Sequence, residues 1–242
     1  MVEHEAQCPP GWMGEWLVEA GARLDVRRPY LGDDLPTELS AHSGLLVLGG
    51  EMGAYDDDAH GWLTPLKTLL RRTVDDGVPV LGVCLGHQLL AVALGGAVAR
   101  APHGQQIGVL EAGWTPEAYD DPLLADVVAH GDAPAVQWNN DVVTRLPEGA
   151  VVLARTPEGV LQAVRFAPRA WGVQWHPEAG DEIIRPWAEH DRDDAVERGV
   201  DVDRYVADVA AATDRLRAAW RLLAESFAAS CAASEVPEKA AR

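Results

Sequence analysis

Cysteine is scarce in this 242-residue chain: Cys8, Cys84 and Cys231 are the whole set. The count is odd, the spacing wide and no CxxC pair occurs. A disulfide framework and a structural zinc site are therefore not expected, no metal or other cofactor is called for, and a reducing, cytoplasmic setting fits best. Basic residues are also few, 20 Lys and Arg against 38 Asp and Glu, for a net charge of −18. Binding to a phosphate backbone needs clustered Lys and Arg, so no nucleic-acid partner is expected. No apolar run reaches the roughly 18 residues that span a bilayer. The opening MVEHEAQCPP has neither a basic nor an apolar region of the kind a signal peptide uses. Phenylalanine occurs twice but tryptophan nine times. Most of the tryptophans should pack in the core, with Trp138 and Trp175 as candidates for the mouth of a pocket.

The first hundred residues alternate short apolar segments with helical patterns. Gly11 to Ala20 reads as a helix, Leu45 to Leu48 as a buried strand ending at Gly49-Gly50, and Leu63 to Val74 as a helix with Leu63, Leu66, Leu69, Leu70 and Val74 on one face. Val78 to Val83 follows as a strand and Leu85 to Leu94 as a helix. Such β-α-β-α order predicts an α/β fold with a mostly parallel sheet between helices. Its first strand is confined to Met1–Glu5, so it is either very short or missing from the start of the chain. The second half brings short strand candidates at 107–111, 135–138, 151–154, 160–166 and 171–175, separated by turn residues. A short helix and a solvated acidic loop are expected between 180 and 203, and a long amphipathic helix from Val202 to Phe227. One domain over 1–229 is expected, with a frayed tail over 230–242. Asp56-Asp57-Asp58 reads as a solvated loop.

Between the strand at 78–83 and the helix at 85–94 stands Gly82-Val83-Cys84-Leu85-Gly86. A nucleophile flanked by glycines on a sharp strand-to-helix turn is lifted above the sheet edge. The helix N-terminus favours thiolate there, and the N–H of Leu85 points where an oxyanion would form. Taken alone, such a cysteine is more often a buried structural residue. A thiol nucleophile also needs a base, and the base an orienter. His176 closes an apolar run, and Glu178 two residues on would share its face of a strand and hold the imidazole.

Together these residues resemble the class I glutamine amidotransferases, and the pattern is similar to stand-alone members resembling the amidotransferase domain of GMP synthase. Gly82-Val83-Cys84-Leu85-Gly86-His87-Gln88 resembles the family's nucleophile turn, Trp171 to Glu178 its His-Pro-Glu segment, and Leu48-Gly49-Gly50-Glu51-Met52-Gly53 its oxyanion loop. The resemblance covers roughly residues 40 to 180. It implies a three-layer, flavodoxin-like α/β fold with a small antiparallel portion. Cys84 would attack the side-chain amide carbon of glutamine, His176 would exchange the proton, and Glu178 would orient His176. The backbone N–H groups of Gly50 and Leu85 would hold the oxyanion, and Gln88 would bind substrate. A thioester then yields glutamate. The segment Gln137-Trp138-Asn139-Asn140-Asp141 stands where a His-Gly-Asp or His-Ser-Asp turn is common near the glutamine pocket, so Asn139, Asn140 and Asp141 are candidate substrate-binding residues. Glu51 replaces a usual proline and is expected to face solvent.

Three functions follow from the resemblance. The first is a glutamine amidotransferase or glutaminase whose ammonia goes to a separate synthetase partner, since only about 64 residues follow Glu178. The second is a hydrolase of γ-glutamyl amides or peptides, such as γ-glutamyl polyamines, on the same scaffold, with Glu51 and Asn139-Asn140 as the features that favour it. The third is a non-catalytic regulatory subunit, against which the intact Cys84, His176 and Glu178 argue. An α/β-hydrolase is disfavoured, because that fold places its acid before its histidine.

Overall fold

Leu45–Val47 (β1) and Val80–Val83 (β2) are buried along their whole length, and alternation of side chains decides which layer each residue meets. Leu45, Val47 and Val80 face one core; Leu46, Leu81 and Val83 face the other. The computed structural model describes residues 1–102 and 104–234. The last part of the expected tail, 235–242, lies outside the described residues.

Five strands form the central sheet in the order β1-β2-β9-β8-β7, where β9 is Ala170–Val173, β8 Leu161–Ala167 and β7 Val151–Arg155. β1, β2 and β9 run parallel; β8 and β7 are antiparallel additions. Where the first strand is expected, Val2 makes a one-residue parallel bridge to Val47, with hydrogen bonds to Leu46 and from Leu48. Two antiparallel ribbons lie outside this sheet. Ala97–Arg100 (β3) pairs with Asp141–Arg145 (β6), and Gln106–Glu111 (β4) with Pro134–Asn139 (β5). Neither β3 nor β6 was legible as a strand; each is four or five residues long and buries only one or two of them.

The layer on one face is Leu63–Asp75 (α2) and Leu85–Ala93 (α3), which bury Leu63, Leu66, Leu69, Leu70, Leu89 and Leu90. Gly11–Glu19 (α1), Ala125–His130 (α4), Asp181–His190 (α5) and Val202–Ala232 (α7) cover the other. Arg192–Glu197 (α6) forms a further helix where a solvated loop was expected. α7 starts at an Asp201 side chain that accepts from the Arg204 N–H at 3.0 Å. It runs five residues beyond Phe227, so residues 230–232 are helix and not frayed tail. Tryptophan concentrates in this second core: Trp175 is 0 % exposed and lies edge-on to Trp114 and tilted against Trp220. Its place is therefore the core, not a pocket mouth.

Candidate active site

The parallel pairing of β2 with β9 sets Cys84 beside Gln174, because both strands end there and the Cys84 N–H donates to the Val173 carbonyl at 2.8 Å. Cys84 occupies the N-cap position of α3 with φ 49° and ψ −103°. It is the one non-glycine at positive φ among the described residues, a strained geometry that persists only where the surroundings over-determine it. Those surroundings are the glycines. A Cβ on Gly82 would sit 2.5 Å from the Gly86 backbone, and one on Gly86 would run into the Val47 carbonyl. Strand and helix can meet this closely only without side chains at both positions. His87, next in the motif, points away from the site, fully buried over Gly172 and tilted against Phe166 at 5.3 Å.

The expectation that His176 and Glu178 share one face of a strand is corrected. β9 ends at Val173, and the two residues lie in the turn that follows. The turn itself brings them together: His176 Nδ1 is 2.6 Å from Glu178 Oε1, with both side chains buried. Its position is pinned from two sides. The His176 N–H donates to Val136 of β5 at 2.9 Å, and the Trp12 N–H of α1 donates to the Glu178 carbonyl at 3.1 Å. Trp187 of α5 packs edge-on to the imidazole at 4.7 Å, and Gly49 makes room for it, since a Cβ there would lie 2.9 Å from His176 Cε1. Burial alone would strip the proton from this ring. The Glu178 carboxylate and then the Cys84 sulfur, which is also hydrogen-bonded to it, outweigh that and raise the His176 pKa to about 10.

Sequence reasoning missed two residues here. Gln174, 0 % exposed, donates from Nε2 to Cys84 Sγ at 3.5 Å and accepts at Oε1 from Gln88 Nε2 at 3.4 Å. Its signal was its place two residues before His176. Cys8 carries no motif, yet lines the same cavity and donates to Glu5 Oε1 at 3.0 Å. Burial, with the nearby Glu5, pushes its pKa up, and burial pushes Cys231 up to about 11. Both remain thiols at neutral pH.

A cavity of about 420 Å³ opens over Cys84 and His176. Gln88, Asn139, Asn140 and Asp141 all line it, as does Gly50. Leu85, at the first position of α3, has an N–H without a partner inside the helix. Gln88 Nε2 donates to the Asp141 carbonyl at 2.9 Å, and Asn139 Nδ2 donates to the same carbonyl and to Gln106 Oε1, both at 3.2 Å. Trp138 lines the cavity, its Nε1 donating to Asp191 Oδ2 at 3.1 Å. Glu51 has a 70 % exposed side chain but also borders the cavity. The aspartate run is not simply solvated: Asp56 accepts from the Gly53 N–H, and Asp57 holds Lys67 at 2.7 Å. Among the described residues no helix is long and apolar enough to cross a membrane.

A family model described as glutamine amidotransferase class-I matches residues 14–183. GMP synthase [glutamine-hydrolyzing] of Aeropyrum pernix is 33 % identical over 181 residues, covering 71 % of this chain and 32 % of that protein. Gamma-glutamyl peptidase 5 of Arabidopsis thaliana is 28 % identical over 169 residues, 69 % of this chain and 66 % of that one. The chain thus spans about a third of the GMP synthase it resembles. The crystal structure of a glutamine amidotransferase from Thermotoga maritima superposes with a TM-score of 0.82 at 24 % identity, over 94 % of this chain and 96 % of that one.

Proposed function

Because this chain belongs to the class-I glutamine amidotransferase family, we propose that it hydrolyses a γ-glutamyl amide through transient acylation of Cys84, with glutamine as the simplest such substrate. One observation carries the reading: a strained cysteine at a helix N-terminus faces an imidazole fixed by a carboxylate at 2.6 Å, on the floor of a cavity.

The sulfur attacks the γ-carbonyl carbon while His176 holds the thiol proton. The developing oxyanion is held by the N–H groups of Gly50 and Leu85, each such donor typically contributing ~2.7–4 kcal/mol to transition-state stability. The C–N bond then breaks and His176 passes its proton to the departing nitrogen, leaving a thioester on Cys84 and free ammonia or amine. Water, deprotonated by His176, attacks the thioester and releases glutamate with the thiol restored. Glu178 keeps the ring in the orientation both half-reactions need. Gln88, Asn139, Asn140 and Asp141 bind the amino-acid end of the substrate. When glutamine is the substrate, the ammonia is free for a separate synthetase chain to use.

The test is glutamate release from glutamine and from γ-glutamyl amides by the wild type and by Cys84→Ala. The wild type should turn over at least one of them and the variant none. Equal release from both proteins, or none from either, contradicts the mechanism.

A further inference from the structure

Hydrogen bonds sort the side chains around the cavity into two sets. The first contains Gln88, Asn139 and Asp141, joined through the Asp141 carbonyl, with Arg100 Nε 3.4 Å from Asp141 Oδ1. It holds one carboxylate and one guanidinium, a balance that suits the zwitterionic end of a γ-glutamyl compound. Asn139 is 4 % exposed and its Oδ1 has no partner, so this set also lacks an N–H donor that a ligand can bring.

The second set is built differently. Glu5 Oε1 accepts from the Cys8 thiol and from the Glu51 N–H at 3.2 Å. Asp191 accepts from Trp138, and Asp56 from the Gly53 N–H. Glu5, Glu51, Asp56 and Asp191 all line the cavity. The groups that fix Glu5, Asp56 and Asp191 are neutral donors, and the basic group close to Glu51 is His190, at 4.0 Å. Apart from the contact of Glu51 with His190, which also lines the cavity, the hydrogen bonds that orient these carboxylates bring no cation to them. Amide cleavage adds an oxyanion to this surrounding, and uncompensated like charges nearby raise the cost of forming it. A substrate that brings its own cation removes that penalty. The cavity, about 420 Å³, falls in the range that encloses ligands larger than a free amino acid.

Resting on the hydrolase reading above, we propose that the site selects γ-glutamyl amides whose amine portion carries a second, protonated amine, as in the mono-γ-glutamyl derivative of an aliphatic diamine. The γ-glutamyl group occupies the Gln88 and Asp141 side, and the distal ammonium lies among Glu5, Glu51 and Asp191. The scissile C–N bond is the one between them, and the products are glutamate and the diamine. Amides ending in a carboxylate meet repulsion at the same place.

The experiment compares three amides of matched length with the purified full chain: γ-glutamyl-1,4-diaminobutane, γ-glutamyl-n-pentylamide and γ-glutamyl-4-aminobutyrate, with glutamine alongside. The cationic amide should exceed the neutral one in kcat/KM by about tenfold or more at low ionic strength, and the anionic one should be slowest. The advantage should shrink in about 0.5 M salt, where charges are screened within a few ångströms. In Glu51→Gln and Asp191→Asn the cationic-to-neutral ratio should fall toward one. A neutral or anionic amide, or glutamine, cleaved as efficiently as the cationic amide overturns the selectivity and leaves the hydrolase reading standing. Failure to cleave any compound of the panel overturns both.

Discussion

Gln174 is the residue whose role is easiest to isolate. It reaches Cys84 Sγ and also Gln88, so it ties the sulfur to a side chain that lines the cavity. Gln174→Met keeps the length and removes the donor. A hydrogen bond to a group that carries charge in the reaction is worth about 1.5 kcal/mol, so kcat/KM should fall roughly tenfold. Alkylation of Cys84 by iodoacetamide should slow in the same proportion, and an unchanged alkylation rate would remove Gln174 from the mechanism. Gly49 is a steric counterpart. In Gly49→Ala the new Cβ would crowd His176 Cε1 and push the ring off its line to the sulfur. A misplacement of about 1 Å costs on the order of 100-fold in rate, measurable as kcat with little change in melting temperature. The turn at Cys84 and the pairing of His176 with Glu178 were legible because both are local in sequence, although the pair meets in a turn and not on the expected strand. Gln174 and Cys8 were not, because their contacts join segments far apart in sequence, and Gly49 was read only as part of the loop after β1, not as the space His176 needs.

At the scale of elements, the site depends on how the five-residue 3-10 turn Pro116–Asp120 and α4 are fastened to the sheet. Asp121 does this from a position 1 % exposed. It accepts from the N–H groups of Leu123 and Leu124 and from Trp171 Nε1 at 3.1 Å, and pairs with Arg165 Nε at 3.0 Å. Trp171 is in β9, the strand that leads to His176. Asp121→Ala leaves two N–H groups, an indole N–H and a partly buried guanidinium without their acceptor, a loss of roughly 3 kcal/mol. Urea unfolding should show it as a lower midpoint at unchanged slope. Adding Arg165→Met should recover part of the loss, because the stranded charge is gone while the unpaired N–H groups remain. The parallel core strands were readable from their continuous apolar runs. β3 and β6 were not, since Val98, Val142 and Val143 are their only buried positions. Their pairing is set by the ribbon they form, not by a pattern in either strand. The extra length of α7 has the same cause: beyond Phe227 its residues are small, and Arg169 reaches across to the Ser230 carbonyl, a contact that no helical periodicity announces.

Over the whole molecule, three buried histidines with opposite shifts set the pH range of stability. His87 is fully buried with no partner for either ring nitrogen, and burial lowers its pKa to about 3. Burial, helped by His60, lowers His4 to about 4, and its Nδ1 accepts from Trp62 Nε1 at 3.1 Å. In the unfolded chain both titrate near 6.5. Below that value the unfolded state binds protons that the folded state refuses, so stability present above about pH 6.5 declines as pH falls toward 4. His176 acts in the other direction. Its folded pKa is raised to about 10, so its contribution is complete below about 6.5 and is lost as pH rises through 10. The dependence on pH near 5 should therefore approach two protons, each a tenfold change in the unfolding constant per pH unit. His87→Leu should bring it close to one proton while leaving stability at pH 7 near the wild-type value, because the substitution removes two unpaired polar atoms from an apolar site. Denaturant titrations of the two proteins between pH 7 and 4.5 decide the matter. Parallel curves would mean that His87 takes up its proton in the folded state and that the layer between α3 and the sheet admits water.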